Sequence, residues 1–256
     1  MSPMLSPRQQ SVLNRVVDIY IDTAQPVGSR QITEIYKEVY NHSYSSATVR
    51  HEMGVLEGLG YLTHPHTSAG RTPTDRGYRY YVDHSMQEDS PSQAIFQDAA
   101  EKLAPSLGAV EDLGEKISEI LSKLSAQVSV VLVPDENRKR TRAFVQGASS
   151  LLDQPEFQAP HSVQPLLKIF ENRENLQACL PPSNQSGPFS IAIGEENSNQ
   201  ALKQCSVVAS RYFMNSGRSG MLALIGPRRM KYSRMVPLIV RMGKLVENLL
   251  QSGRLL

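Results

Sequence analysis

The residues best suited to chemistry form one short stretch, SSATVRH at positions 45–51, which has the pattern of a helix beginning. A serine before a periodic apolar segment is a typical N-cap, and a helix N-terminus presents free N–H groups to a phosphate. Val49, Met53 and Leu56 recur at helical spacing and predict the buried side. The polar side chains of the first turns are then expected to project outward, next to the capping Ser45: Ser46, Thr48, Arg50 and His51.

A projecting arginine is suited to reading DNA, because its guanidinium can donate two hydrogen bonds to O6 and N7 of one guanine. Such a contact supplies about 1–3 kcal/mol of discrimination between bases. The stretch therefore predicts a recognition helix. The alternative that it leaves open is a capped, solvated surface helix.

The loop HPHTSAGR at positions 64–71 has the composition of a wing. Its small residues, hydroxyl donors and terminal cation suit the sugar-phosphate backbone or the minor groove, and an ordinary hairpin loop is the alternative. A short helical segment with two further arginines follows. The contacts predicted for these two parts are His66, Thr67, Ser68, Arg71, Arg76 and Arg79.

Other chemistries have little support in the sequence. His64 and His66 have a spacing that two metal ligands on a strand can use, but no further ligands stand at metal-site spacing. None of the common nucleophile-elbow, phosphate-loop, dinucleotide or zinc-protease motifs is present. We therefore predict no enzyme, no cofactor and no metal.

Cysteine usage and hydropathy indicate the compartment. Cys179 and Cys205 are the only cysteines, without the paired spacing of a disulfide scaffold or a zinc finger, and Cys205 is expected to be a buried thiol. No apolar run approaches the roughly 18 residues of a membrane span, and the first residues lack the apolar core of a secretory signal. These observations favour the cytoplasm.

Two domains are predicted within a mixed α/β (α+β) fold. Residues 1–84 show three short amphipathic helices and then a two-stranded ribbon, the outline of a winged helix-turn-helix. A polar linker is predicted over 85–92. Residues 93–256 combine a long N-terminal helix, five strands and a C-terminal amphipathic helix, without the rhythm of a parallel sheet.

The predicted long helix carries leucines, isoleucines and a valine from Leu103 to Leu124, at steps of three and four residues. This spacing is close to a heptad seam, interrupted early by Pro105. A helix packed on the protein's own sheet and a self-pairing seam between two copies both fit it.

Several motifs together resemble the HrcA family of bacterial heat-inducible transcription repressors. The most specific is the block PHTSAGRTPTDRGYRYYVD at 65–83, which follows LSPRQ at 5–9, PVGSR at 26–30, SSATVR at 45–50 and GYL at 60–62. The second half agrees through PEF at 155–157, IGEEN at 193–197, CSVV at 205–208 and GPRRMKY at 226–232. The resemblance covers nearly the whole chain.

The resemblance implies a homodimeric repressor with a winged helix and a GAF-like C-terminal domain. It further implies binding to an inverted-repeat operator, CIRCE, upstream of chaperone operons, dependence on the GroE chaperonin, and loss of repression on heat stress. A winged-helix regulator whose α+β domain senses a small molecule or a metal is the alternative function.

The chain departs from the family pattern in two places. His51 stands where the family usually has asparagine, which can hold adenine with two hydrogen bonds. Near 134–144 the family's inserted dimerisation segment is shortened or absent, so the dimer is expected to use the 103–124 seam or the C-terminal helix instead.

Net charge limits how the chain can hold DNA. The total is +2, and residues 1–84 carry eight Lys/Arg against eight Asp/Glu. Few phosphate contacts predict weak non-specific binding with a shallow salt dependence. Base readout by two linked half-sites must then supply the affinity.

Overall fold

The computed structural model describes residues 5–40, 44–65, 70–135, 140–172, 176–181, 187–214 and 217–251. The chain divides into two compact units, Met1–Gln87 and Glu88–Leu256. The point of division lies within the polar 85–92 segment.

The first unit begins with three helices: α1 at Pro7–Thr23, α2 at Ser29–Tyr40 and α3 at Ser46–Gly58. Ser6 caps α1 by accepting a hydrogen bond from the backbone N–H of Gln9, whose side chain accepts one in return from the N–H of Ser6. Leu13, Val16 and Val17 of α1 are fully buried, because the apolar spacing of this helix puts them on one face. They form the centre of this unit's core.

A short ribbon and a fourth helix complete the unit. Strand β1 (Leu62–Thr63) pairs antiparallel with β2 (Thr72–Pro73), and α4 follows at Asp75–His84. The chain before α2 joins the ribbon, since Val27 and Arg71 exchange backbone hydrogen bonds of 2.8 Å in each direction. Three helices, a two-stranded ribbon and a closing helix give the winged helix-turn-helix expected from the sequence.

The second unit is built on one antiparallel sheet of five strands in the order β4-β3-β7-β6-β5. The strands are β3 (Val128–Asp135), β4 (Arg140–Gln146), β5 (Phe189–Ile193), β6 (Cys205–Phe213) and β7 (Ser219–Pro227). Its helices are α5 (Gln93–Leu103), α6 (Val110–Ser125), α7 (Pro160–Glu171), α8 (Leu176–Cys179) and α9 (Tyr232–Gln251). Every strand predicted from the sequence is present, within three residues at each end.

Helices cover both faces of this sheet. On one face Val128, Val130 and Leu132 of β3 belong to the same buried cluster as Leu166 and Phe170 of α7. The other face is covered by α6 and α9. Ser129 of β3 donates a 2.6 Å hydrogen bond to the carbonyl of Ser118 in α6, and Gly243 lets α9 approach the backbone of β6. This is the GAF-like α+β arrangement that the family resemblance implies.

The predicted long helix and its self-pairing seam are corrected by the structure. Two helices, α5 and α6, are separated by a 3-10 turn at Ala104–Ser106 that contains Pro105, which cannot donate a helical backbone hydrogen bond. Most apolar side chains of the seam are buried inside this same chain, with at most 7% of their surface exposed: Leu103, Leu107, Leu113, Ile117 and Ile120. They therefore offer no apolar surface to a second copy.

Gly77 of α4 is predicted to be essential for the stability of the first unit. A Cβ atom at this position would lie 2.2 Å from the carbonyl oxygen of Tyr61. This oxygen is a backbone atom, so it cannot move aside as a flexible side chain could. We expect Gly77→Ala to lower the free energy of unfolding by about 2 kcal/mol or more. Chemical denaturation followed by circular dichroism measures the change.

Gly54 of α3 is the matched control, since a Cβ there meets nothing within 4 Å. Gly54→Ala should leave stability unchanged or raise it by up to about 1 kcal/mol, because alanine is the better helix former. Equal losses in the two variants would contradict the packing described for Gly77.

Candidate nucleic-acid interface

The candidate recognition helix α3 has a buried side and an exposed side. Val49, Met53 and Leu56 are at most 4% exposed and hold it against the core. Arg50 and His51 lie on the exposed side. Among the residues that the structure describes, neither has a hydrogen bond or an ion pair, so both heads are available to a partner molecule.

The beginning of α3 is fixed by serine hydroxyls. Ser45 caps the helix, its Oγ accepting the backbone N–H of Thr48 at 3.0 Å and lying 2.8 Å from the Thr48 hydroxyl. The Ser46 hydroxyl lies 3.0 Å from that of Ser29, the first residue of α2. The starts of both helices of the helix-turn-helix are therefore held together, with their free N–H groups close to each other.

A shallow depression of about 500 Å³ lies beside this junction. Its walls come from α2 and from the residues before α3: Arg30, Thr33, Glu34, Lys37, Tyr44, Ser45 and Ser46. Arg30 and Lys37 are exposed, and within the described ranges neither has an ion pair. The sequence analysis did not select these two cations. Their spacing of seven residues, opposite the buried Ile32 and Tyr36, is the signal that could have found them.

The predicted wing is described only at its base, because His66, Thr67 and Ser68 lie outside the described residues. The guanidinium of Arg71 forms an ion pair of 2.8 Å with Glu57 of α3, and His64 contacts the other oxygen of the same carboxylate. Arg71, Glu57 and His64 thus join the wing base to the recognition helix. In this position Arg71 orients the wing.

The two arginines of α4 also bind within the chain. Arg76 donates a 2.9 Å hydrogen bond to the carbonyl of Leu59 and stacks on the ring of Tyr61, 4.6 Å from its centre. Arg79 pairs with Asp83 at 3.3 Å, one turn further along α4. Of the arginines predicted to contact DNA, Arg50 is the one whose guanidinium has no partner in the described part of the chain.

The remaining candidates for chemistry lie in the second unit. Burial raises the pKa of the Cys205 thiol to about 12, so this side chain stays protonated at neutral pH and is a poor nucleophile. Cys179 is also buried, where its sulfur accepts a 3.1 Å hydrogen bond from the amide of Asn199. The described helices include none with the length and apolar content needed to cross a membrane.

Comparison with known proteins finds relatives of one kind. Residues 135–236 match the family model described as the HrcA protein C-terminal domain. A heat-inducible transcription repressor HrcA of Brevibacillus brevis is 26% identical to this chain, covering 97% of the chain and 99% of its own length. A second one, from Shouchella clausii, is 28% identical over 94% of the chain and 97% of its own length. The chain is similar to HrcA repressors over nearly its whole length.

A crystal structure of a hypothetical protein has the same fold as this chain. Its TM-score is 0.72 at 19% identity, and the match covers 96% of this chain and 100% of the other. At this level of identity the similarity concerns the fold alone. It includes both the winged helix and the GAF-like unit.

This chain is shorter than the HrcA relatives to which it is similar. Its alignment with the Brevibacillus protein runs over 343 positions, 87 more than the 256 residues of the chain, so at least that many positions have no residue here. At the place where the sequence predicted a shortening, β3 pairs with β4 in continuous register to the pair Asp135 and Arg140. Four residues, 136–139, connect the paired ends of the two strands.

The ion pair between Arg71 and Glu57 is expected to stabilise the first unit. Both side chains are only about a quarter exposed, 25% and 26% respectively. Arg71→Met and Glu57→Gln should each lower the free energy of unfolding. The double variant should lose less than the sum, with a coupling of about 1 kcal/mol.

The pair of Arg79 and Asp83 is the control for this double-mutant cycle, because it joins neighbouring turns of one helix and its carboxylate is 46% exposed. Its coupling should be about 0.3 kcal/mol. Strictly additive losses for Arg71 and Glu57 would show that the wing base does not depend on their pairing.

Proposed function

We propose that this chain is a sequence-specific DNA-binding transcription repressor of heat-shock genes, among them those of chaperones. The observation that carries the proposal is the exposed, unpartnered pair of Arg50 and His51 on a capped helix whose other side is buried in the winged-helix core. The names of its HrcA relatives, heat-inducible transcription repressors, supply the regulated response. Such a protein acts on chromosomal DNA in the bacterial cytoplasm.

The recognition step divides between two helices. Helix α3 enters the major groove, where the guanidinium of Arg50 donates to one guanine and His51, Ser46 and Thr48 contact a neighbouring base or phosphate. The exposed cations of α2, Arg30 and Lys37, lie beside the start of α3 and bind the flanking phosphates. The wing residues His66, Thr67 and Ser68 contact the DNA backbone. Arg71, Arg76 and Arg79 also contact it when their ion pairs and hydrogen bonds within the chain are broken.

A homodimer on an inverted-repeat (CIRCE-type) operator supplies the remaining affinity. The first unit is neutral overall, so one copy gains little from phosphate attraction alone. Two copies place two α3 helices in major grooves about 34 Å apart, or a multiple of that distance. The second binding event is then intramolecular, which raises the affinity for a two-fold site.

The GroE chaperonin is the second proposed partner, and it couples repression to the load of unfolded protein. When misfolded proteins occupy the chaperonin, the repressor loses its active form and chaperone genes are expressed. The proposal rests on the similarity to HrcA repressors over nearly the whole chain.

Arg50→Ala is expected to remove operator preference while preserving most of the general affinity for DNA. Loss of a bidentate contact should weaken operator binding by about 1–3 kcal/mol, roughly five- to 150-fold, and binding to a shuffled duplex by less than about threefold. Fluorescence anisotropy with both duplexes measures the two affinities. Equal losses on the operator and on the shuffled duplex would assign Arg50 to phosphate binding.

Arg30→Ala is the matched control because it removes an exposed cation of the same unit that faces the backbone. It should weaken binding to the two duplexes by the same factor and lower the salt dependence by about one counterion. A selective loss of operator binding would assign base recognition to α2 instead of α3.

A gel shift tests the proposed dimer and the chaperonin together. We expect the full inverted repeat to bind at least about tenfold more tightly than a single half-site of equal duplex length. Added chaperonin should raise the fraction of bound operator, and addition of an unfolded protein should reverse that increase. Equal affinities for one and two half-sites would contradict the dimer, and an unchanged bound fraction would contradict the role of the chaperonin.

A further inference from the structure

The segment that leads into the second unit is bonded to the last helix of that unit. The backbone N–H of Asp89 donates a 2.8 Å hydrogen bond to the carbonyl of Ser233, in the first turn of α9. Further along, Arg241 of α9 donates 2.6 Å hydrogen bonds to the carbonyl of Pro91 and to the side-chain oxygen of Gln93, where α5 begins. The second half of the predicted 85–92 linker is therefore bound to the second unit.

Arg241 makes a third contact with the same guanidinium. It stacks on the ring of Phe96 in α5, 4.0 Å from the ring centre. Phe96 is 5% exposed, so the packing of the second unit holds this ring in place. A planar guanidinium can stack on a ring and donate to two acceptors at once, which the point charge of a lysine cannot reproduce. Arg241 thus joins the linker, the start of α5 and the middle of α9.

The linker has little else to hold it on this helix. Asp89, Ser90 and Ser92 are exposed and Pro91 is half-buried, so burial of apolar surface contributes little. The single backbone hydrogen bond of Asp89 is too weak to offset the entropy lost when several exposed residues are ordered. Within the described ranges, Arg241 is the one side chain of α9 that bonds to this segment. The position of the linker therefore depends on Arg241.

These contacts leave a short tether between the two units. At the end of the first unit, Met86 donates its backbone N–H to the carbonyl of Tyr81. From Met86 to Asp89 the chain has three peptide units, which span at most about 11 Å. Without the contacts of Arg241 the free length would extend to Gln93, seven peptide units that span up to about 25 Å. Arg241 thereby shortens the tether of the DNA-binding unit about twofold.

We infer that Arg241 is a positioning residue for operator binding: by keeping the tether short, it sets the spacing of half-sites that the two DNA-binding units of a dimer can occupy together. The inference rests on the proposed function, in which two copies joined through their second units bind an inverted repeat. Effective concentration falls with about the three-halves power of tether length, or more steeply, once the tether exceeds the required span. Lengthening it from three to seven peptide units should therefore weaken two-site binding at least about threefold.

Arg241→Met tests this role in the full chain, because methionine keeps an apolar side chain against Phe96 and removes both hydrogen bonds. Fluorescence anisotropy gives the affinities for the full inverted repeat and for a single half-site of equal duplex length. The variant should bind the full repeat at least about threefold more weakly and the half-site with unchanged affinity, because the DNA-binding unit itself is untouched.

The spacing between the half-sites gives a readout that a loss of stability alone would not move. Five additional base pairs turn one half-site by about half a helical turn relative to the other. The unchanged chain should bind this duplex at least about tenfold more weakly than the native repeat, because its tethers are short. In Arg241→Met the same insertion should weaken binding at least about threefold less, since the longer tethers tolerate the displacement.

Two further variants complete the test. Lys244→Met removes an exposed cation from the same helix and is the matched control, so both affinities and the spacing dependence should stay unchanged. Insertion of a Gly-Ser-Gly-Ser segment between Gln87 and Glu88 lengthens the tether from three to seven peptide units without altering α9. This insertion should reproduce the effects of Arg241→Met on the full repeat and on the spacing dependence.

The outcomes separate this role of Arg241 from the proposed function. If the unchanged chain prefers the full repeat and both tether variants keep its preference and its spacing dependence, the role of Arg241 is overturned while the dimeric repressor stands. If the unchanged chain binds one and two half-sites equally, the proposed dimer is contradicted, and the role of Arg241 with it. Should Arg241→Met also weaken half-site binding, the insertion variant decides, and an unchanged spacing dependence there overturns the inference.

Discussion

The carbonyl oxygen of Tyr61 is the point on which the geometry of the winged helix depends. It accepts the backbone N–H of Thr74 at 3.1 Å and the Thr74 hydroxyl at 3.1 Å, while that hydroxyl also reaches the carbonyl of Gly60 at 2.7 Å. The chain leaving the recognition helix is thus bonded to the residue that begins α4. Gly77 allows this approach, because any side chain there would occupy the place of the Tyr61 carbonyl. The end of α3 therefore cannot move without also moving α4.

Charged residues extend this junction toward the DNA-binding side. Arg76 covers the Tyr61 ring and bonds to the carbonyl of Leu59, and Arg71 joins the base of the wing to Glu57. These arginines are used to hold α3, the ribbon and α4 in one arrangement. The 65–83 block that carries the family resemblance supplies most of this network, and its arginines at 71, 76 and 79 all bind within the chain.

The sequence was sufficient to predict most of the helices and strands and the buried side of each helix. Periodicity located α3 because Val49, Met53 and Leu56 recur on one face, and the structure buries all three in the core. Periodicity did not decide what covers an apolar stripe. The Leu113 and Ile117 stripe has the spacing of a coiled-coil seam, yet it packs on the sheet of its own chain, since both arrangements bury the same residues. A tertiary partner cannot be inferred from spacing alone.

The candidate site shows the same limit: the sequence gives the residue types, but it does not give the partners that they bind. The sequence alone does not distinguish Arg50, Arg71, Arg76 and Arg79. The structure pairs the last three internally, whereas Arg50 is exposed and has no partner among the described residues. The charge available for phosphate contacts then comes from Arg30 and Lys37 on α2. Because the unit carries as many acids as bases, its long-range attraction to DNA is weak, and the internal pairs use arginines to hold α3 instead of binding phosphates. A rigid, nearly neutral DNA-binding unit gains more specificity from a second copy than from further cations. Added positive charge would strengthen its binding to every DNA sequence alike.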